Sequence, residues 1–152
     1  WPMGVIHSYI WRKGSIWITA AAHRHRVSAL RRNPKSSVVI TSKGTSLDAG
    51  KSITIKGRAK IHDDKDLKAW FYPELASALR STPEEVKAFE DMLDSPLRIV
   101  IEVVPEKWIT YDGAKMRAHT LGTIDESQLA KPLEADTVRL AAEKERRGLS
   151  HD

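Results

Sequence analysis

The densest run of chemistry-bearing residues is TAAAHRHRVSALRRNPKSSVVIT, from Thr19 to Thr41, which sets Arg24, Arg26, Arg31 and Arg32 together with His23 and His25 between two strand-like stretches. Guanidinium forks and the free N–H groups of a helix start are well suited to holding a phosphate. Arg24 and Arg26 stand where an apolar strand ends and a helix is expected to begin, so both kinds of donor can converge there on one anion. Arg31 and Arg32 fall at the far end of the same helix, where cations complement the helix dipole without any ligand. A solvated basic face serving solubility is the competing account of all four.

Other chemistries find less support. His23 and His25, two apart, would share one side of an extended segment, a spacing compatible with metal ligation. No carboxylate or third histidine lies nearby in sequence and the adjacent arginines repel a cation, so no metal site is expected, and phosphate contact or plain exposure fits better. His7 and Ser8 are consecutive and would point to opposite faces of a strand; with no GxSxG and no cysteine, nucleophilic hydrolysis has no basis. Neither GxGxxG nor GxxxxGK[ST] occurs, which argues against a Rossmann or P-loop phosphate cradle. The five tryptophans and the net charge of +5 are ingredients of nucleic-acid binding. Yet Trp11 and Trp17 fall within strands and Trp70 lies beside Phe71 on a helical stripe, so core packing accounts for them and nucleic acid is not an expected partner.

The elements that must position the basic segment follow from periodicity and punctuation. Val5 to Trp11 reads as a strand, Arg12-Lys13-Gly14 as a turn, and Ser15 to Ala20 as the second strand of a hairpin. Arg24 to Arg32 reads as a short helix ended by Asn33-Pro34. Ser36 to Thr41 is a strand, Lys43 to Gly50 a polar loop, and Lys51 to Ile61 a long alternating strand. A helix follows Asp63 and Asp64 until Pro73 breaks or restarts it, and another begins at Thr82-Pro83-Glu84-Glu85, which has capping-box spacing. Leu97 to Val104 alternates again, extended past Pro105 by Trp108 to Tyr111. After Gly113 a polar segment leads to a charged helix from about Leu133 to Arg147. Five to six strands joined by hairpins or short crossings favour an antiparallel barrel with peripheral helices, mainly β within an α+β class, over a parallel doubly wound sheet.

Composition agrees: 152 residues, 41% hydrophobic and 30% charged, suit one soluble domain with a tail. No apolar run approaches the roughly 20 residues of a membrane-spanning helix, so no membrane association is expected. Absence of cysteine leaves a reducing cytoplasm as the expected location. The first residue is Trp1 rather than methionine, so the chain is expected to begin partway into its domain.

The succession GVIHSYIWRKGSIWITAAAHRHRVSALRRNPKSSVVIT, KSITIKGRAKIHDD and SPLRIVIEVVPEKWITYDG resembles the pyridoxamine-phosphate-oxidase-like split β-barrel superfamily of flavin and deazaflavin oxidoreductases, from about Pro2 to Gly113. The family's basic segment R-x-[KR]-x-x-x-L-x-x-[DN]-P is matched by Arg24, Arg26, Leu30, Asn33 and Pro34. The resemblance implies an FMN-binding type of antiparallel split barrel over residues 1–113, with 114–152 a polar C-terminal extension carrying a helix. It implies a homodimer with cofactor sites at the interface and FMN, or alternatively the deazaflavin coenzyme, as cofactor. Arg24 and Arg26 would then be phosphate ligands, Ile18, Thr19 and Ala20 would line the ring, and His7 and Ser8 would lie on the adjacent strand. Trp108 would lie in a loop approaching the partner's cofactor. The implied activity is hydride transfer between cofactor and a small organic substrate. A flavin brings its own hydride chemistry, which makes the lack of an acid, base or nucleophile motif unsurprising. A non-catalytic flavin- or haem-binding barrel is the alternative, and a basic nucleic-acid-binding barrel a third.

Overall fold

The computed structural model describes residues 1–47 and 50–149. The expected loop from Lys43 to Gly50 therefore falls partly, at Asp48 and Ala49, outside the described residues. Two compact units are present, Trp1–Tyr111 and a second beginning at Asp112.

The first unit is an antiparallel sheet of five strands: β1 (Ile10–Arg12), β2 (Ser15–Ala21), β3 (Lys35–Thr41), β4 (Lys51–His62) and β5 (Arg98–Asp112), in the order β1-β2-β5-β4-β3. The sheet is not closed, as in a split barrel. Lys13 and Gly14 both take positive φ, 52° and 73°, the geometry of the tightest hairpin turns, and this sets the register Ile10↔Trp17 and Arg12↔Ser15. Trp17 closes the hairpin by donating from its indole N–H to the Arg12 carbonyl at 2.8 Å. β2 pairs with β5 from Ile16↔Val103 to Ala21↔Arg98, and β3 with β4 from Lys35↔Arg58 to Thr41↔Ser52. Across β4 and β5, Arg58 meets Glu106 while His62 meets Glu102, so these strands also run in opposite directions. Gly57 marks their closest approach: a Cβ there would sit 2.2 Å from the Val104 carbonyl oxygen.

Alternation gives the sheet two buried faces. Ile16, Ala20, Ile55, Ala59, Ile99, Ile101 and Val103 form one cluster, closed by Val27 of α1 (His25–Arg32). Ile10, Trp17 and Val100 form the other, with Phe71, Tyr72 and Leu75 of α2 (Lys65–Leu79) and Leu93 of α3 (Pro83–Leu93). Thr82 accepts from the Glu85 N–H at 3.2 Å and Glu85 reaches back to the Thr82 N–H at 3.3 Å, so the capping box is formed.

Two elements of this unit differ from expectation. The first strand is Ile10–Arg12 rather than Val5 to Trp11; Trp1, Val5 and Ile6 are exposed, and without burial or a lateral partner the pattern alone does not hold a strand. Helix α2 runs through Pro73, because Phe71, Tyr72, Leu75 and Ala76 on both sides of it are buried, and that burial outweighs the lost backbone hydrogen bond. As expected, β5 extends past Pro105 to Asp112; the proline falls beyond the last β2 pair, Ile16↔Val103, where one side of the strand already lacks a ladder.

The second unit contains α4 (Gly113–Thr120), a 3-10 turn (Glu126–Gln128) and α5 (Glu134–Arg147), and none of these elements buries a residue. Helix α4 was not expected from the sequence; Asp112 starts it, its carboxylate accepting from the N–H groups of Ala114 and Lys115 at 3.0 and 3.2 Å.

Candidate cofactor site

The site is built where β2 hands over to α1. The Ala22 N–H donates to the Leu97 carbonyl at 2.7 Å and the Arg24 N–H to the Ala21 carbonyl at 3.0 Å, pinning the turn against the start of β5. Arg24 is the N-cap: its carbonyl accepts from Val27 at 2.9 Å, while no side chain caps the first turn and no acidic residue occupies it. Buried Val27 anchors the helix to the inner cluster, fixing its neighbour Arg26 half-buried against the same edge.

Two nitrogens stand out there. Arg26 Nε and His7 Nε2 are both buried without a hydrogen-bond partner. The two side chains are near enough to interact: burial first, and the Arg26 guanidinium second, hold the His7 imidazole below its ordinary pKa of 6.5. A buried polar nitrogen without a partner costs about 1–3 kcal/mol. Arg24, by contrast, is exposed, as are His23, His25, Arg31 and Arg32; Arg32 donates to the Ser28 hydroxyl at 2.7 Å. Among the described residues no group of three or more His, Asp or Glu is placed to hold a metal ion.

The strand residues divide. Ile18 and Ala20 pack with the inner cluster on the α1 side. The Thr19 side chain lies on the opposite face, its hydroxyl donating to the Ile99 carbonyl at 2.8 Å beside Tyr72. Successive strand residues point opposite ways, so the three expected ring contacts cannot offer their side chains to one ring; from Thr19 the backbone alone faces that side. Ser8 is exposed, and it and His7 precede β1 rather than lying in it. Trp108 lies within β5 rather than in a loop, 46% exposed, with its ring edge-on to Trp11 at 5.5 Å. Trp11 pairs with Ile16 at the start of β2, whereas Arg24 and Arg26 follow its end. At about 3.3 Å per residue the length of β2 puts roughly 20 Å between the two. One chain therefore does not bring Trp108 to the arginines.

Sequence reading missed two further polar groups on the α2 side. The Tyr72 hydroxyl is buried and makes no hydrogen bond of good geometry, the neighbouring Thr19 hydroxyl being engaged with the Ile99 carbonyl. Burial pushes Tyr72 up to about 12. Arg98, in register with Ala21, buries its Nε without a partner and reaches Met92 Sδ at 3.5 Å. Nearby on the sheet, Glu102 accepts from the Ser15 hydroxyl at 2.9 Å and contacts His62 Nε2 at 3.1 Å and Lys60 Nζ at 3.8 Å. An open groove of about 370 Å³ across β3 and β4 is lined by Lys35, Ser36, Ser37, Lys56, Gly57 and Glu106. Glu106 is paired with Arg58 at 2.6 Å, and none of the expected site residues lines the groove.

With this geometry in place, residues 1–112 match the profile of the pyridoxamine 5'-phosphate oxidase family. The chain belongs to that family. The family typically binds flavin and contains oxidoreductases beside non-enzymatic members. Among curated protein sequences none matches the chain. The structure is similar to a conserved hypothetical protein of Mycobacterium tuberculosis, at 17% identity over 84% of this chain and 74% of that one, with a TM-score of 0.57. It is similar to the haem storage protein HutZ of Vibrio cholerae, at 11% identity over 69% of this chain and 73% of that one, TM-score 0.54. A Listeria innocua protein provisionally named a pyridoxamine 5'-phosphate oxidase aligns at 19% identity over 68% of this chain and 73% of that one, TM-score 0.50. At these identities the likeness is one of fold. Among the described residues no helix is long and apolar enough to cross a membrane.

Proposed function

We propose that this chain is an oxidoreductase that uses a flavin-type cofactor, FMN or the deazaflavin coenzyme, to exchange a hydride with a small organic substrate. The supporting observation is the pair of buried, partnerless nitrogens His7 Nε2 and Arg26 Nε beside the uncapped, acid-free start of α1. Their chemistry fits an anionic group such as a cofactor phosphate.

In this reading Arg26 and Arg24 hold the phosphate, Arg26 from its half-buried position and Arg24 from solvent. Ile18 and Ala20 supply an apolar floor and the Thr19 backbone runs between them. His7, whose imidazole feels the Arg26 charge, is followed by Ser8. A bound flavin supplies the hydride chemistry, leaving the protein to bind, orient and exclude water. The reading takes residues 1–113 as the cofactor-binding domain and 114–152 as an extension, and places the protein in the cytoplasm. It takes the active form as a homodimer in which Trp108 serves the partner's site, consistent with the exposure of Trp11, Trp108, Ile109 and Tyr111.

Flavin fluorescence quenching measures the affinity directly. Arg26→Ala is expected to weaken FMN or deazaflavin binding by about 1.5–3 kcal/mol, roughly 10- to 150-fold, and Arg24→Ala by less because Arg24 is exposed. Unchanged affinity in both variants would remove the phosphate assignment. Turnover with the reduced cofactor separates an enzyme from a carrier.

A further inference from the structure

Across β3 and β4, cations face cations. Lys35 and Ser37 are exposed on β3, and Lys56, Arg58 and Lys60 on β4; the register sets Lys35 opposite Arg58 and Ser37 opposite Lys56, so all lie on one face of the sheet. Like charges set opposite one another destabilise a ladder unless a counter-charge intervenes. Strand β5 supplies one for two of these cations: Glu106 accepts from Arg58 Nε at 2.6 Å, and a Glu102 oxygen lies 3.8 Å from Lys60 Nζ. Lys35 and Lys56 are in no ion pair among the described residues, and these two line the open groove of about 370 Å³ together with Ser37 and Glu106. Two uncompensated positive charges thus flank one concavity.

We infer that this groove binds the phosphate of a small phosphorylated molecule, held by Lys35, Ser37 and Lys56. Side chains directly opposite across a ladder stand about 5 Å apart at Cβ, which sets the Ser37 hydroxyl beside the Lys56 stem. Lys35 follows two residues away on the same face, about 7 Å along the strand. Each lysine carries its ammonium on a flexible stem, so both can close on one tetrahedral group. The Ser36 hydroxyl takes no part: it turns to the other face and donates to the Gly57 carbonyl at 3.4 Å. Charge selects the ligand. A phosphomonoester, close to a dianion at neutral pH, matches the two free lysines, whereas a carboxylate would leave one unmatched. Size does the same: small-molecule sites run from roughly 300 to 1,000 Å³, and Glu106, fixed by Arg58, interrupts the basic run that an extended polyanion would need. Neither Arg24 nor Arg26 lines this groove, which makes it a site separate from the one proposed for the flavin phosphate.

Amide NMR of the full chain, titrated with glycerol 3-phosphate at pH 7.5 and constant ionic strength, reads the site directly. The expected result is saturable shifts at residues 35–37 and 56–58, none with glycerol, and affinity weakened at least about threefold in Lys35→Ala and in Lys56→Ala. Both lysines are exposed, so both variants are expected to fold and to keep the wild-type flavin affinity, while Arg26→Ala is expected to leave the affinity of the groove unchanged. Shifts confined to residues 23–26, or equal affinity in the wild type and both lysine variants, would overturn the assignment. So would tighter binding at the groove by a single-stranded oligonucleotide at equal phosphate concentration, which would mark a polyanion surface instead. If the groove takes glycerol 3-phosphate while no flavin binds, the flavin reading alone falls; if flavin binds while the groove shows no saturable shift, the groove assignment alone falls.

Discussion

At the scale of single residues, burial rather than charge separates the basic side chains. Arg26 and Arg98 bury a guanidinium Nε without a partner, while Arg24, Arg31 and Arg32 lie in solvent. Solvated cations contribute little when removed, so Arg31→Ala is expected to leave both flavin affinity and stability within experimental error, in contrast to Arg26→Ala. Glu102 is a different case. Its carboxylate serves Ser15, His62 and Lys60 from a side chain 14% exposed. Glu102→Ala is expected to lower stability by about 1–3 kcal/mol in urea unfolding, because it leaves the half-buried His62 and the buried Ser15 hydroxyl unsatisfied. Tyr72 gives a pH dependence with a definite sign. Its pKa in the folded protein, about 12, lies above the ordinary 10, so its contribution to stability is complete below pH 10 and is lost as pH rises from 10 toward 12. Tyr72→Phe is expected to flatten that alkaline loss while leaving stability at pH 7 unchanged or improved, since the hydroxyl it removes makes no good hydrogen bond.

At the scale of elements, what was legible in the sequence was what local physics decides. The Lys13-Gly14 turn, the Thr82 capping box and the alternation of Lys51 to Ile61 depend on neighbouring residues, and each forms, the strand running one residue further to His62. What depends on distant parts of the chain was not legible. Val5 and Ile6 look like strand residues, but a strand exists only beside a partner. Pro73 looks like a break, yet the helix is held by the sheet beneath it. Arg98 and Glu102 look like the solvent side of an alternating strand until α2 and α3 cover that face. In the candidate site, the basic segment is marked locally by its residue types, whereas the influence of the Arg26 charge on His7 joins separate segments and carries no local mark. Gly57 tests the same point. Gly57→Ala sets a methyl 2.2 Å from the Val104 carbonyl, against backbone rather than a yielding side chain. It is expected to cost about 1–3 kcal/mol, visible as a lower thermal midpoint.

For the whole molecule, the buried core lies in the unit that ends at Tyr111. Its buried core ends at Val103, and neither α4 nor α5 buries a residue. That unit also holds His7, Arg24 and Arg26, so the family's sheet and the candidate site coincide, while the fold itself is shared by proteins of different activity. The central claim is that this sheet holds a flavin-type cofactor through Arg26. Fluorescence titration of FMN, and separately of the deazaflavin coenzyme, into the purified protein and its Arg26→Ala variant tests it most directly. Saturable quenching by one of the two, weakened at least about tenfold in Arg26→Ala, is the result expected. No saturable binding of either cofactor, or equal binding by wild type and variant, would contradict it.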